Sequence, residues 1–442
     1  MAKGTDSREL ALDILLEILE KGSYSHIVLR QALSKHQYLE KQERAFVSRI
    51  VGGTVEYLIP IDAILNSSSK VPVNKMKPVI RTILRMSVYQ ITYMDRVPDR
   101  AACNEAVKLA QKRKFQGLGG YVNGVLRTIV RQKDSYRFTD WERKYSMPDW
   151  LIERWKETYP AAVVEGMLQA FLTERPLSVR CNLNKASKAA IIASLEAQNV
   201  TVTVSELNPN VLYLDDYDYP ESLSAFREGL IQVQDVSSSL VGDVADPQPD
   251  AYIIDVCGAP GGKSIHLADR LGGTGMVEVR DLTESKVDLI EENIARTGFK
   301  NIRTKVWDAC VPDESMIGQA DLVIADLPCS GLGIIGRKPD IKYRVSEAGM
   351  DALVKLQREI LSVVWQYVKP GGKLIYSTCT INRAENEEQA EWFSQSFPFR
   401  AINIEDKLGE NLPADTQKDG YVQLIPGIHP CDGFFIAAFE RK

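Results

Sequence analysis

Two stretches of this chain end an apolar run in a cysteine. In GGKLIYSTCTINRAENE, residues 371–387, the run Leu374-Ile375-Tyr376 gives way to Ser377, Thr378, Cys379 and Thr380, with a charged helix expected after them. In ADLVIADLPCSGLG the run ends at Asp326 and Cys329 follows. A lone cysteine in such a place reads as a small buried hydrophobe. Two of them, each just past a β-run in a turn-like context, ask for more. Thiols do nucleophilic or redox chemistry, and the wide separation of this pair has no redox-motif spacing.

A third stretch, DVCGAPGGKS, runs from Asp255 to Ser264 and follows the strand-like AYIIDVC. Its glycines and Pro260 make a tight loop where backbone can approach a ligand closely. Gly258 and the pair Gly262-Lys263 have three residues between them, one short of the phosphate-cradling spacing, and the dinucleotide pattern also fails. The loop therefore suits a ligand other than ATP or NAD. Asp281 ends the next strand-like run, 23 residues after Gly258, where an acidic side chain commonly receives ribose hydroxyls. Asp308 and Asp326 end the third and fourth such runs. Each aspartate alone could be a turn cap; all of them on one sheet edge point to a site.

Three kinds of element must position these groups. Apolar stripes with a 3.6-residue period fill residues 1–135, beginning with Leu10, Ala11, Ile14, Leu15, Ile18 and Leu19, and predict an all-α bundle. Residues 145–240 mix helical patterns with the strand-like LSVRCNL, VTVTVSEL and NVLYL, as in a small α/β domain. Residues 241–442 alternate strand and helix. That pattern predicts a Rossmann-like parallel sheet with helices on both faces and ligands at the carboxyl ends of its strands.

The 442-residue chain has a net charge of −5, unevenly spread. Residues 1–133 hold 22 Lys+Arg against 12 Asp+Glu, a net of +10, and the remainder is −15. A basic segment on an acidic body suggests a polyanion partner, most simply nucleic acid. Seven cysteines and four histidines form no C-x-x-C pair or Cys/His ladder, so neither a zinc site nor a disulfide framework is expected. The start MAKGTDSREL has no apolar run of signal-peptide length, and no later run approaches about 18 apolar residues. A cytoplasmic protein without a membrane or metal partner is the expectation, with a monomer as the default.

DVCGAPGGKS, ADLPCSGLG, RKPDIKY, YSTCT and DGFFIAAF, in this order, resemble the RNA cytosine-5 methyltransferases of the Sun/NOP family. The basic helical segment is similar to a NusB-type RNA-binding domain, a combination that implies a cytosine of small-subunit (16S) rRNA as substrate and S-adenosylmethionine as cofactor. By this resemblance Cys379 is the nucleophile, Cys329 assists proton removal and release, and Asp326 holds the base at N3 and its amine. Cys257, Gly258, Ala259, Pro260, Gly261, Gly262, Lys263, Asp281, Asp308 and Asp326 are the expected cofactor contacts, with Asp281 on the ribose and Asp308 on the adenine edge. Lys263 also reads as a solvated helix-start residue, and Lys338 as an RNA contact or a surface lysine. Tyr343 and Phe434 read as base-stacking or, more simply, core residues. Cys310 and Cys431 depart from the family pattern and are expected to be non-catalytic.

Three other readings compete. A tRNA cytosine-5 methyltransferase shares the chemistry. A non-catalytic RNA-binding factor is opposed by the intact Cys379, Cys329 and Asp326, and an ATP-dependent enzyme by the short loop. If the basic segment grips RNA, the Kd for RNA should rise roughly tenfold or more between about 50 and about 200 mM salt. Filter binding across that range checks this, and a flat response would leave the charge as ordinary solvated surface.

Overall fold

The computed structural model of the protein describes residues 7–408, 412, 417, 418 and 420–442. The chain forms two compact units. One runs to residue 172 and includes residues 337–344; the other contains residues 173–336 and 345 onward.

In the first unit the apolar stripes become the helices Ser7–Leu19, Lys41–Glu56, Pro78–Tyr93, Asp99–Lys112 and Gly119–Gln132, among others. Leu10, Ala11, Ile14, Leu15 and Ile18 of the first stripe are all buried, because a 3.6-residue period keeps them on one face. A Cβ on Gly53 would lie 1.9 Å from Cζ of Tyr89, so only glycine lets these two helices approach. Beside it Tyr57 and Tyr93 stack with centroids 4.2 Å apart. The helices Asp149–Thr158 and Ala161–Leu172 also belong to this unit.

Residues 337–344, the RKPDIKY segment, sit inside the helical unit although they are remote from it in sequence. Asp340 accepts from the Ser25 backbone N at 3.1 Å and from its hydroxyl. Lys342 Nζ donates to the Glu56 carbonyl at 2.8 Å, and burial lowers its pKa to about 7. Tyr343 packs on the helical core. Of the two sequence readings of Tyr343, core packing is the one observed.

The second unit holds two sheets. β1 (Leu177–Cys181), β2 (Thr201–Val204), β3 (Val211–Asp215) and β4 (Ile231–Val233) form a four-stranded antiparallel sheet in the order β2-β3-β1-β4. The helix Lys188–Glu196 lies between β1 and β2 in sequence, started by Ser187, whose hydroxyl accepts from Ala190 N. The three expected strands are present; β4, only three residues long, has too short a pattern to stand out.

The larger sheet contains β5 (Tyr252–Asp255), β6 (Met276–Asp281), β7 (Ile302–Val306), β8 (Ala320–Asp326), β9 (Val368–Thr378), β10 (Phe399–Ala401), β11 (Gln417–Lys418), β12 (Tyr421–Leu424) and β13 (Phe434–Arg441). Its order is β11-β12-β13-β9-β8-β5-β6-β7, with β10 on β13. β5 to β9 pair in parallel. β13 joins β9 antiparallel, and β12 and β10 pair antiparallel with β13. The expected parallel sheet is thus a mixed one, because an apolar run carries no information on strand direction. Ile253, Ile254, Val323, Ile324, Leu374 and Ile375 are fully buried, as strands covered on both faces require.

The order changes sense between β5 and β8, the kind of switch point where open α/β sheets bind ligands. Just beyond, Gly333 N donates to the Cys379 carbonyl at 3.1 Å and Gly433 N to the Gly333 carbonyl at 2.9 Å. A Cβ on Gly333 would stand 2.0 Å from the Gly433 oxygen, so backbone meets backbone here with no room for a side chain. Gly333→Ala is expected to cost about 1–3 kcal/mol through overpacking. Gly124→Ala, in a helix with nothing within 4 Å of the added methyl, should stabilise by about 0.5–1 kcal/mol. Urea unfolding of the two variants checks both signs.

Candidate active site

Each strand of the parallel half delivers a side chain at its carboxyl end. β5 ends at Asp255, which is fully buried. Its Oδ2 accepts from the Ser264 hydroxyl, while its Oδ1 has no partner among the described residues. Burial pushes the Asp255 carboxyl up to about 7, against the lowering effect of that hydrogen bond. The loop that follows is drawn against β6: Gly258 N donates to the Arg280 carbonyl at 2.9 Å. A Cβ on Gly258 would lie 2.3 Å from Val279 Cγ1 and 3.0 Å from Asp255 Oδ2. Gly261, at φ +97°, turns the chain into the helix Gly262–Arg270.

β6 ends at Asp281, whose Oδ2 accepts from Ala259 N at 3.0 Å. Its Oδ1 takes Leu282 N at 2.7 Å and Lys286 Nζ at 2.9 Å. Asp281 therefore fastens the glycine loop to the next strand. Asp308 stands two residues past the end of β7 rather than at its end. It is exposed, with Oδ1 accepting from Cys310 N at 2.9 Å.

β8 ends at Asp326, paired in register with Ser377 of β9. The Ser377 hydroxyl donates to Asp326 Oδ1 at 2.7 Å, and Lys263 Nζ donates to Oδ2 at 2.6 Å. Lys263 is not a solvated helix-start residue: its side chain is 14% exposed and its ammonium lies 5.2 Å from the ring centroid of the buried Phe434. Burial lowers the Lys263 pKa, but the Asp326 charge and hydrogen bond outweigh it and the net shift is upward. A charged lysine thus faces an aspartate between the glycine loop and the thiols. Phe434 packs in the core of this unit.

Cys329 and Cys379 come together at the adjoining ends of β8 and β9, with 3.4 Å between their sulfurs. Neither is in a disulfide, and both residues are partly exposed. The Cys329 pKa is raised well above the ordinary thiol range, first by its hydrogen bond to Cys379 and then by burial. A charge on one sulfur disfavours a charge on the other at this separation, and the raised pKa keeps the proton on Cys329. Elsewhere burial raises the Cys257 thiol, and raises Cys310 to about 11. Cys431 is buried. Among the described residues no group of three or more His, Cys, Asp or Glu is placed to hold a metal ion, and no helix is long and apolar enough to cross a membrane.

The sequence reading gave no role to Ser377, which holds Asp326, or to Glu385. RAENE reads as the start of a charged helix, but Arg383–Glu385 is a separate turn and the helix begins at Glu387. Glu385 is wholly buried. The signal available in the sequence was Asn382, a residue that favours turns over helix interiors.

Family models match three successive stretches: a NusB family model at residues 5–131, an RsmF/B-like ferredoxin-like domain at 147–218, and a 16S rRNA methyltransferase RsmB/F model at 243–440. The chain is 34% identical to the probable ribosomal RNA small subunit methyltransferase B of Bacillus subtilis, over the full length of both. It is 30% identical to the ribosomal RNA small subunit methyltransferase B of Proteus mirabilis, over 98% of each. The solved structure of PH0851 matches 99% of the chain with a TM-score of 0.84 at 27% identity, over 100% of its own length. NSun6 from Pyrococcus horikoshii, solved with SFG, shares the fold over 66% of this chain and 98% of its own, with a TM-score of 0.59 at 21% identity.

The raised pKa of Asp255 fixes a sign. The folded state keeps a proton that the unfolded chain releases near pH 3.8. This group's contribution to stability is therefore full below about pH 4 and falls as pH rises through about 7. Urea unfolding at pH 5, 6, 7 and 8 should show a shallower decline for Asp255→Asn than for the wild type; equal slopes would mean that Asp255 is ionised in the fold.

Proposed function

Because this chain belongs to the ribosomal RNA small subunit methyltransferase B family, we propose that it methylates carbon 5 of a cytosine in small-subunit (16S) rRNA through a cysteine–carbon 6 adduct. The observation that carries the chemistry is the pair of thiols 3.4 Å apart at the ends of adjacent parallel strands, beside the Asp326 carboxylate. S-adenosylmethionine is the cofactor, and when bound it supplies an electrophilic methyl group. The residues fit it. Cys257 to Lys263 form a loop that lies close against β6 because Gly258 has no Cβ to meet Val279 and Asp255, Asp281 stands at the β6 end for the ribose hydroxyls, and Asp308 is exposed for the adenine edge. Asp326 closes the set.

Carbon 5 of cytosine is a poor nucleophile. Addition of the Cys379 thiolate to carbon 6 turns the ring into an enamine and makes carbon 5 nucleophilic. Asp326, held by Ser377 and Lys263, receives the exocyclic amine and steadies N3. Once carbon 5 carries its methyl group, its proton must leave. The leading cause of the raised Cys329 pKa is its hydrogen bond to Cys379. That bond is lost when the Cys379 sulfur is bonded to carbon 6. Cys329 can then release its proton to solvent and take the carbon-5 proton. As that proton leaves, the carbon 5–carbon 6 double bond re-forms, the carbon 6–sulfur bond breaks and its electron pair returns to Cys379.

A base inside a duplex cannot reach this sheet edge, so the target is single-stranded or unstacked. The domains we assign are 1–135, a NusB-like RNA-binding bundle; 145–240, a small α/β RNA-binding part; and 241–442, the methyltransferase. The protein works as a monomer in the cytoplasm, where its substrate is.

Cys329→Ala tests the reading. With S-adenosylmethionine and unmodified 16S rRNA it should accumulate a covalent protein–RNA band on a denaturing gel, and Cys379→Ala added to it should abolish the band. A band that survives loss of Cys379 would reverse or replace the two thiol assignments. No band, with a wild type that methylates tRNA and not rRNA, would move the substrate to tRNA.

A further inference from the structure

Glu385 has no exposed surface, and a buried carboxylate persists only when its lone pairs are filled. Oε2 accepts from the Ser330 backbone N at 2.9 Å and from Gln357 Nε2 at 3.1 Å. Oε1 accepts from the Ser330 hydroxyl at 2.5 Å and from Asn382 Nδ2 at 2.9 Å. These donors sit on either side of the two thiols. Ser330 directly follows Cys329, and Asn382 is in the turn after Cys379. Gln357 also donates to the Pro328 carbonyl at 2.9 Å, so the residues before and after Cys329 are held by one network. The Ser330 hydroxyl lies 2.7 Å from that of Thr380, the residue after Cys379. The Tyr376 hydroxyl, on β9, donates to the Glu385 carbonyl.

We propose that Glu385 is the positioning residue of the two-thiol site: its carboxylate ties the turn after Cys329 to the turn after Cys379 and so sets the distance between the sulfurs. The inference rests on the roles given above to Cys379 and Cys329. Glu385 touches neither sulfur and acts through the two turns. A carboxylate suits this place because it accepts hydrogen bonds at both oxygens and donates none, and a backbone N–H, a hydroxyl and two amides converge on it. Its charge also helps to keep the proton on Cys329, after the larger effects of Cys379 and burial.

Disulfide trapping reads the sulfur distance directly. Diamide takes two electrons and two protons from the thiol pair; the sulfurs join and the diamide N=N bond becomes a hydrazine. The rate of Cys329–Cys379 bond formation is followed by peptide mapping under non-reducing conditions, with S-adenosylmethionine binding as the check on folding and single-turnover methyl transfer as the catalytic readout. Glu385→Ala should slow trapping and methyl transfer at least tenfold while cofactor affinity stays within threefold. Glu385→Gln should trap within threefold of the wild type, because the Ser330 hydroxyl can accept as well as donate and the Asn382 amide can turn. Glu385→Ala trapping at the wild-type rate with cofactor binding intact would overturn the proposal. Should Glu385→Ala lose cofactor binding, Ser330→Ala decides: it removes only the side-chain link, and several-fold slower trapping is expected, whereas the wild-type rate would overturn the proposal. A wild type that traps in a Glu385-dependent way yet methylates no RNA would sink the functional reading and leave Glu385 in place.

Discussion

The parallel pairing of β8 with β9 is the constraint on which the site depends. Its register sets Asp326 opposite Ser377, and both cysteines follow within a few residues. Side chains alternate across a strand, so a one-residue slip would turn Asp326 and Ser377 to opposite faces and part the aspartate from its hydroxyl. The register is held from both directions. The β8–β9 core, with Val323, Ile324, Leu374 and Ile375 fully buried, penalises a shift that would carry apolar side chains to the wrong face. Past the strand ends, Leu327 N donates to the Ser377 carbonyl at 3.1 Å and continues the ladder up to the thiols.

Around this seam Ser377, Thr378, Thr380, Asn382, Glu385 and Asn386 are buried and hydrogen-bonded. Asn386 is an example: its side-chain oxygen accepts from Thr378 Oγ1 at 2.6 Å, and its amide donates to the Thr380 carbonyl at 3.0 Å and to Gln423 Oε1 at 2.7 Å. Such networks give directional bonds where an apolar core would give only close packing. The reaction proposed above uses two sulfurs and a carboxylate at fixed separations, and it would benefit from directional restraint more than from added burial. The same balance governs Lys263, where desolvation and the Asp326 charge pull in opposite directions and the charge wins.

The RKPDIKY segment belongs to the helical unit but leaves the chain only a few residues after Cys329. Its anchors are specific ones: Asp340 on Ser25, Lys342 on the Glu56 carbonyl, and Tyr343 in the core. Nothing in its sequence announces this. It has no helical or strand period, and its Lys338 reads as an RNA contact or a surface lysine. A buried lysine with a pKa of about 7 is a tertiary fact, since desolvation depends on what the rest of the chain places around it.

Much of the architecture was legible because periodicity is a local property. The 3.6-residue stripes became helices, the runs expected to end at Asp281 and Asp326 became strands ending there, and AYIIDVC became a strand that stops at Asp255. The ordered motifs were enough to place the chain in its family. What local pattern could not carry was direction, adjacency and burial. The antiparallel entry of β13 beside β9, the 3.4 Å between the sulfurs, the embedding of Lys263 against Phe434 and Asp326, and the clamp at Glu385 all arise from residues far apart in the chain. Residue types fixed which chemistry was available; the pairing of strands across a folded sheet decided which side chains stand close enough to perform it.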